Sequence, residues 1–109
     1  MTVNELALAC GFEAVYLPDG EREVGGAYAG DLLSWVMGRA SADDVFITIM
    51  TNINVVAVAS LADVACVVFA EDVTVPQDVL DAAGRKEINL LKSHVPMFET
   101  CVAVGRCLK

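Results

Sequence analysis

Cysteine and histidine are the side chains best suited to hold a metal or to supply a nucleophile and its base, and the chain has four cysteines and one histidine. The cysteines are Cys10, Cys66, Cys101 and Cys107. They form no Cys-x-x-Cys pair and no zinc-knuckle spacing, so we interpret them as small buried hydrophobic side chains. The alternative is a metal or redox site that uses Cys101, Cys107 and His94, which requires different elements to converge.

The sequence predicts no catalytic site. His94 lies just before Pro96 at an expected helix start, where an imidazole caps the helix or faces solvent. No serine lies in a Gly-x-Ser-x-Gly motif, and both the phosphate loop and the Gly-x-Gly-x-x-Gly fingerprint of nucleotide-binding proteins are absent. We therefore expect no enzyme activity, no metal and no cofactor.

Short polar residues follow the expected strands, and they form the candidate ligand-binding site. They are Gly30, Asp31, Thr48, Thr51, Asn52 and Asn54, with Glu71 and Asp72 after the next strand. Ligands of open α/β sheets usually lie beyond the carboxyl ends of the strands, where helix N-termini present free N–H groups. The pattern predicts a small-molecule pocket, and the alternative is that Thr51, Asn52 and Asn54 only cap a helix.

Composition narrows the class of protein. With 109 residues, of which 56% are hydrophobic and 20% charged, the chain suits one globular domain spanning residues 1–109. Its net charge of −8 repels phosphate backbones and anionic lipids, which excludes nucleic acid and membrane surfaces as expected partners. The first residues lack a signal-peptide pattern, and the apolar stretch 55–70 is too short for a membrane span, so we expect a cytoplasmic protein.

The elements that position these residues can be read from caps and periodicity. Thr2 and Glu5 have the spacing of a capping box, which predicts a helix from there to about Cys10, with Gly11 ending it. A strand is expected at 15–17, a turn at 18–20 and a second strand at 22–29, where two glycines mark a bulge or a close backbone approach.

Helices and strands should alternate in the rest of the chain. We expect helices at 31–37 (with Asp31 in its first turn and Gly38 ending it) and 55–61, one capped near Thr74, and a last one opened by 93–96. Strands are expected at 45–50, 65–69 and 88–91. A parallel sheet covered on both faces follows, which is a single-domain α/β fold in the form of a three-layer α/β/α sandwich with a mostly parallel sheet.

The residues 26–37 resemble the Asp-Leu-Leu-Ser-x-Val-Met segment of DRTGG-domain proteins. Residues 44–49 with 51–59 resemble the next strand and helix of that family, and 90–93 with Phe98 and Glu99 resemble its closing strand and helix. The similarity covers nearly the whole chain and favours the stand-alone, single-domain branch. It departs from the family in its signature, because the chain has no Asp-Arg pair and no Thr-Gly-Gly.

The resemblance implies a fold similar to the N-terminal domain of HPr kinase and a regulatory role. Related domains accompany adenine-nucleotide-binding CBS pairs in some pyrophosphatases and precede catalytic domains in some phosphotransacetylases. It thus implies a non-catalytic sensing domain, a homodimer that binds an adenine nucleotide or another small metabolite. The alternative is an interaction subunit without a ligand, which docks onto a kinase or a metabolic or redox enzyme.

Overall fold

Strands and helices alternate from residue 26 onward in the computed structural model, which describes residues 1–108. The helices are α1 (Val3–Cys10), α2 (Leu33–Arg39), α3 (Asn54–Ala62), α4 (Gln77–Lys86) and α5 (Met97–Cys107). The strands are β1 (Glu13–Tyr16), β2 (Gly26–Ala29), β3 (Asp44–Thr48), β4 (Cys66–Phe69) and β5 (Leu90–Lys92). Within the described residues no helix has the length and apolar character needed to cross a membrane.

The strands form a single sheet in the order β1-β5-β4-β3-β2. Strands β2 to β5 are parallel, whereas β1 is antiparallel to β5 at one edge. Each parallel strand pairs with the next one in sequence, so the right-handed crossovers place α2, α3 and α4 on one face. Helices α1 and α5 pack together and cover the other face. The predicted three-layer α/β/α sandwich is confirmed.

Each face of the sheet carries its own hydrophobic core. Every residue of β3 and β4 is therefore buried, whichever face its side chain points to. Phe46, Val67 and Phe69 pack against α2, α3 and α4. Their neighbours Val45 and Val68 point the opposite way, toward α1 and α5. The continuous apolar runs that predicted a doubly covered sheet are explained by this alternation.

The capping box at the start of α1 is confirmed. The Thr2 hydroxyl accepts from the Glu5 backbone N–H at 3.2 Å, and the Glu5 carboxylate accepts from the Thr2 N–H at 2.8 Å. These bonds hold the pKa of Glu5 below its ordinary value, with the Thr2 N–H as the main cause. Gly11 ends the helix at φ 71°, a left-handed conformation that glycine adopts without a steric penalty.

The second strand is shorter than the predicted 22–29, since β2 begins at Gly26. The residues just before β2 bond instead to the N-terminal segment, because the Arg22 carbonyl accepts from the Val3 N–H and the Val24 N–H donates to the Met1 carbonyl. Since β1 and β2 are the two edge strands, the segment between them crosses from one edge of the sheet to the other. At Gly26 the expected close approach is present, because an added Cβ would lie 2.9 Å from Asp44 Oδ1.

Three predicted helix starts were wrong in detail. Asp31 is not in the first turn of α2, which begins at Leu33 and runs one residue past Gly38. The N-cap position of α3 is Ile53 and that of α4 is Pro76, and neither has a side-chain cap, so Thr74 does not fill that role. At the start of α5 a tertiary contact takes the place of a local cap, because Glu71 Oε2 accepts from the Met97 N–H at 2.7 Å.

Candidate functional site

The carboxyl ends of β2 and β3 are joined by a hydrogen bond between two predicted site residues. Thr48, fully buried at the end of β3, donates from its hydroxyl to Asp31 Oδ1 at 2.8 Å. The same oxygen accepts from the Ile49 backbone N–H at 3.0 Å, and the Thr48 hydroxyl accepts from the Met50 N–H at 3.2 Å. Asp31 is thereby fixed at the strand ends by one of its carboxylate oxygens.

A cleft of about 330 Å³ lies beside this bond. Its lining residues are Tyr28, Ala29, Gly30, Asp31, Leu32 and Trp35. An added Cβ at Gly30 would lie 3.3 Å from a ring carbon of Tyr28, so glycine lets the phenol ring approach the backbone there. The Gly30 N–H donates to the Ile47 carbonyl, which holds the cleft against β3. The cleft, which we call the strand-end cleft, thus combines two aromatic rings with one carboxylate.

A cation adjoins the strand-end cleft. The guanidinium carbon of Arg39 lies 4.1 Å from the centroid of the Trp35 ring, within the range of a cation–π interaction. Trp35 is nevertheless 55% exposed, so much of the indole remains accessible. An exposed indole with an arginine next to it suits a flat, negatively charged ligand.

The other predicted site residues form a second, adjacent group. Asn52 Oδ1 accepts from the Asn54 N–H at 2.9 Å, which shapes the entry to α3. Thr51 is half-buried and Asn54 is exposed. In residues 1–108 no hydrogen bond joins these side chains to Asp31. The structure therefore brings Gly30, Asp31 and Thr48 together and leaves Thr51, Asn52 and Asn54 beside them.

Glu71 and Asp72, which we expected to join the same cluster, are tied to another loop. Their N–H groups donate to the carbonyls of Val95 and Ser93 at 2.9 and 3.0 Å. Both acidic residues have left-handed backbones, with φ of 65° and 55°. Strand β4 leads to α4 on one face of the sheet and β5 leads to α5 on the other, so the loops that follow the two strands diverge. The backbone bonds of Glu71 and Asp72 hold these two loops together.

His94 lies in a charged cluster that the sequence did not predict. Its Nδ1 is 2.6 Å from Asp72 Oδ1 and its Nε2 is 3.1 Å from Glu13 Oε1, while Lys92 Nζ is 3.5 Å from the same Asp72 oxygen. The hydrogen bond from His94 is the main cause that lowers the pKa of Asp72. Glu13 reaches the cluster because it lies opposite Lys92 in the β1–β5 ladder, a pairing with no local sequence signal.

The thiols do not join His94. Cys66 is fully buried, and burial raises its pKa to about 12. Cys10 and Cys107 are half-buried, with their Sγ atoms 3.4 Å apart. Within residues 1–108 no group of three His, Cys, Asp or Glu side chains is placed to hold a metal ion. The alternative site of Cys101, Cys107 and His94 is therefore not assembled.

An apolar surface lies next to the strand-end cleft. It is a groove of about 480 Å³ between α2 and α3, which we call the α2–α3 groove. It is lined by Leu33, Ser34, Met37, Asn54, Ala57, Val58 and Leu61. Leu61 is 71% exposed and Met37 is 45% exposed, which is unusual for large apolar side chains that share one surface.

The geometry defines an α/β domain with an aromatic cleft at the strand ends. No protein-family model and no curated protein matches the sequence. In fold, the chain is similar to a solved structure, that of the CBS and DRTGG domains of the regulatory region of Clostridium perfringens pyrophosphatase complexed with the activator diadenosine tetraphosphate, with a TM-score of 0.74 and 11% identity. The match covers 94% of this chain and 45% of that one, so this chain spans less than half of its neighbour's length. The likeness supports a DRTGG-like fold and, at this identity, the fold alone.

Proposed function

We propose that this chain is a cytoplasmic regulatory domain without catalysis of its own, which binds an adenine nucleotide or another small metabolite in the strand-end cleft. The observation that carries the proposal is the juxtaposition of Tyr28, Trp35 and the Asp31 carboxylate in one cleft at the carboxyl ends of parallel strands. The structural neighbour supports a regulatory role in general, since the matched region is regulatory and its structure contains a dinucleotide activator.

Each part of a nucleotide has a matching group in or beside the cleft. An adenine base can stack on the part of the Trp35 indole that Arg39 leaves uncovered, an interaction worth about 1–3 kcal/mol per base in proteins that bind single strands. The Asp31 oxygen not bonded to Thr48 can accept from a ribose hydroxyl. Arg39, whose guanidinium lies over the Trp35 ring, supplies the positive charge that a phosphate would pair with. Thr51 and Asn52, at the entry to α3, extend the proposed site, and Asn54 beside them also lines the α2–α3 groove.

The charge of the chain sets the condition under which binding is expected. A net charge of −8 opposes the approach of a polyphosphate, and Mg²⁺ bound to the phosphates reduces that repulsion. Affinity should therefore rise with magnesium and depend on Arg39. Trp35 is the only tryptophan, so its fluorescence reports on the cleft directly.

The test is to titrate AMP, ADP, ATP and diadenosine polyphosphates into the chain, with and without magnesium, by calorimetry and tryptophan fluorescence. Asp31→Asn and Arg39→Gln should weaken binding by about tenfold each, the usual loss for one charged hydrogen bond. Arg106→Gln is the matched control, because Arg106 is also an exposed arginine in the last turn of a helix, on the opposite face. Absence of heat, fluorescence change and thermal shift at millimolar ligand would defeat the nucleotide proposal.

The α2–α3 groove favours a second function, self-association, and we propose a second copy of this chain as its occupant. Helix α3 has no charged residue, and Arg39 is the one charged residue in α2. In a chain of net charge −8, this uncharged face is the one through which two copies meet with least repulsion. Its large exposed side chains supply the apolar area that a homodimer interface needs.

Sedimentation equilibrium tests the homodimer. The chain should sediment as a dimer, and Leu61→Glu should make it a monomer by placing a charge in the groove. Leu8→Glu is the matched control, because Leu8 is 85% exposed on α1 across the sheet, and this variant should remain a dimer. A monomeric parent chain would contradict the homodimer, and stable co-purification with a kinase or a metabolic enzyme would favour the docking alternative.

A further inference from the structure

The ends of the first and last helices meet at two thiols. Cys10 is the last residue of α1 and Cys107 is the last residue of α5, and their Sγ atoms are 3.4 Å apart across a sequence separation of 97 residues. The two helices pack against each other on one face of the sheet. Neither thiol lines the strand-end cleft or the α2–α3 groove. Helices α2 and α3 lie on the opposite face of the sheet from α1 and α5.

We propose that Cys10 and Cys107 form a reversible dithiol–disulfide site whose oxidant is a low-molecular-weight disulfide such as glutathione disulfide. A disulfide bond has a sulfur–sulfur distance of about 2.05 Å, so the two sulfur atoms need to approach by roughly 1.4 Å. Both residues lie at helix ends, where the last turn deforms most easily. Rotation of the side chains together with a small shift of the last turn can supply that approach.

Accessibility selects this pair among the cysteines. Cys10 and Cys107 are half-buried, so a small disulfide can reach them, whereas Cys66 is fully buried between the sheet and the α1–α5 layer. Cys101 is also half-buried on α5, but no sulfur lies within hydrogen-bonding range of it in residues 1–108. In the same residues no third ligand completes a metal site around the pair. Thiol–disulfide exchange is therefore the chemistry that the arrangement supports.

The exchange balances in two steps. The thiolate of one cysteine attacks the small disulfide, which forms a mixed disulfide and releases one small thiolate. The second cysteine then loses its proton and attacks the protein sulfur of the mixed disulfide, so that the Cys10–Cys107 bond forms and the second small thiolate leaves. Two protein thiols are oxidised, the small disulfide is reduced to two thiols, and the two cysteine protons pass to these thiols.

Burial, together with the neighbouring Cys107 thiol, raises the pKa of Cys10 to about 12. Its thiolate is scarce at neutral pH, so exchange should be slow, and incubations must run to equilibrium. Once formed, the bond joins residues at opposite ends of the sequence and removes much of the freedom of the unfolded chain. We expect oxidation to raise Tm on the order of 10 °C and reduction to reverse the shift.

The experiment equilibrates the full chain with mixtures of reduced and oxidised glutathione and then maps the products by digestion and mass spectrometry. Trypsin cleaves after Arg22 and Arg106, which places Cys10, Cys101 and Cys107 in separate peptides. The expected product is a cross-link between peptides 1–22 and 107–109, lighter by two hydrogen atoms than the sum of the two and sensitive to dithiothreitol.

Two variants keep the proposal open to refutation. Cys10→Ser should abolish both the cross-link and the Tm shift. Cys101→Ser is the matched control, because it removes another half-buried cysteine from α5 and should keep both. The proposal is overturned if the peptides stay unlinked at the most oxidising ratio, if the cross-link joins Cys101 instead, or if it joins two chains.

Discussion

Thr48 and Asp31 are joined by a 2.8 Å hydrogen bond that fixes the carboxylate at the mouth of the strand-end cleft. The donor is fully buried at the end of β3, and the acceptor lies two residues beyond β2. Because the same Asp31 oxygen also binds the Ile49 N–H, one carboxylate atom organises the ends of both strands. The other oxygen is the one to which the proposed site assigns the ligand.

The first prediction concerns this bond. Thr48→Val keeps the shape of the side chain but removes the hydroxyl, and it should lower the free energy of unfolding by about 1–2 kcal/mol, since the bond has a charged acceptor. In a double-mutant cycle with Asp31→Ala, measured by urea unfolding, the two effects should be non-additive by a similar amount. Additive effects would mean that the bond contributes nothing to stability.

The sequence predicted those parts of this region that have a local signal. The buried run 45–50 predicted β3, and a parallel β2–β3 pair then placed Asp31 and Thr48 at the same edge of the sheet. The helix start predicted at Asp31 was two residues early, since the Asp31 carboxylate bonds to Thr48 and lies outside the first turn of α2. The aromatic lining was missed as well, because Tyr28 falls in a predicted strand and Trp35 in a predicted helix, and neither carries a local sign of a cleft.

Features set by distant pairing could not be predicted. The antiparallel partner of β1 is β5, more than 70 residues later, and a four-residue strand with exposed first residues carries no mark of its partner. The cluster around His94 and the contact between Cys10 and Cys107 depend on such long-range pairings. Single-sequence periodicity gives elements and faces, but the sheet order decides which side chains meet.

The second prediction concerns Asn89, which is 3% exposed and links the turn after β1 to the start of β4. Its Nδ2 donates to the carbonyls of Asp19 and Ala65 at 2.8 and 2.9 Å, and its Oδ1 accepts from the Asp19 N–H at 2.9 Å. Asn89→Ala removes all three bonds, including the one to the carbonyl of buried Ala65, and should cost about 2–4 kcal/mol. Asn52→Ala, which removes an exposed side chain with one backbone bond, should cost less than about 1 kcal/mol by urea unfolding.

The third prediction concerns Arg22, whose side chain is 24% exposed and binds two acidic residues. It contacts the carboxylates of Asp43 and Asp63 at 2.9 and 3.0 Å and the Asp63 carbonyl at 2.6 Å. Burial works against the charged guanidinium, but the bonds to Asp43 and Asp63 outweigh it and raise the pKa of Arg22. Arg22→Gln should lower the free energy of unfolding by about 1–2 kcal/mol, and less at high salt.

The matched variant is Arg22→Lys, which keeps the charge but loses the planar guanidinium whose Nε–H and Nη2–H both donate to Asp43 Oδ1. It should recover only part of the lost stability. Equal stability of the lysine and arginine chains in urea would show that charge alone matters and that the bonding geometry does not. A salt-independent loss in Arg22→Gln would assign the effect to packing of the arginine stem instead.

The last prediction is a pH dependence at Asp72, whose pKa is held below its ordinary value of 3.8 mainly by the hydrogen bond from His94, with a smaller contribution from Lys92. A carboxyl that binds its proton more weakly in the folded than in the unfolded chain stabilises the fold above its unfolded pKa. That stabilisation is lost as the pH falls from about 4 through the lower, folded pKa. Asp72→Asn should therefore flatten the stability profile in that acid window, measured by urea unfolding at a series of pH values. His94→Ala should flatten the same window and move the carbon-detected NMR titration of Asp72 back toward its ordinary midpoint, and an unmoved midpoint would show that His94 does not set it.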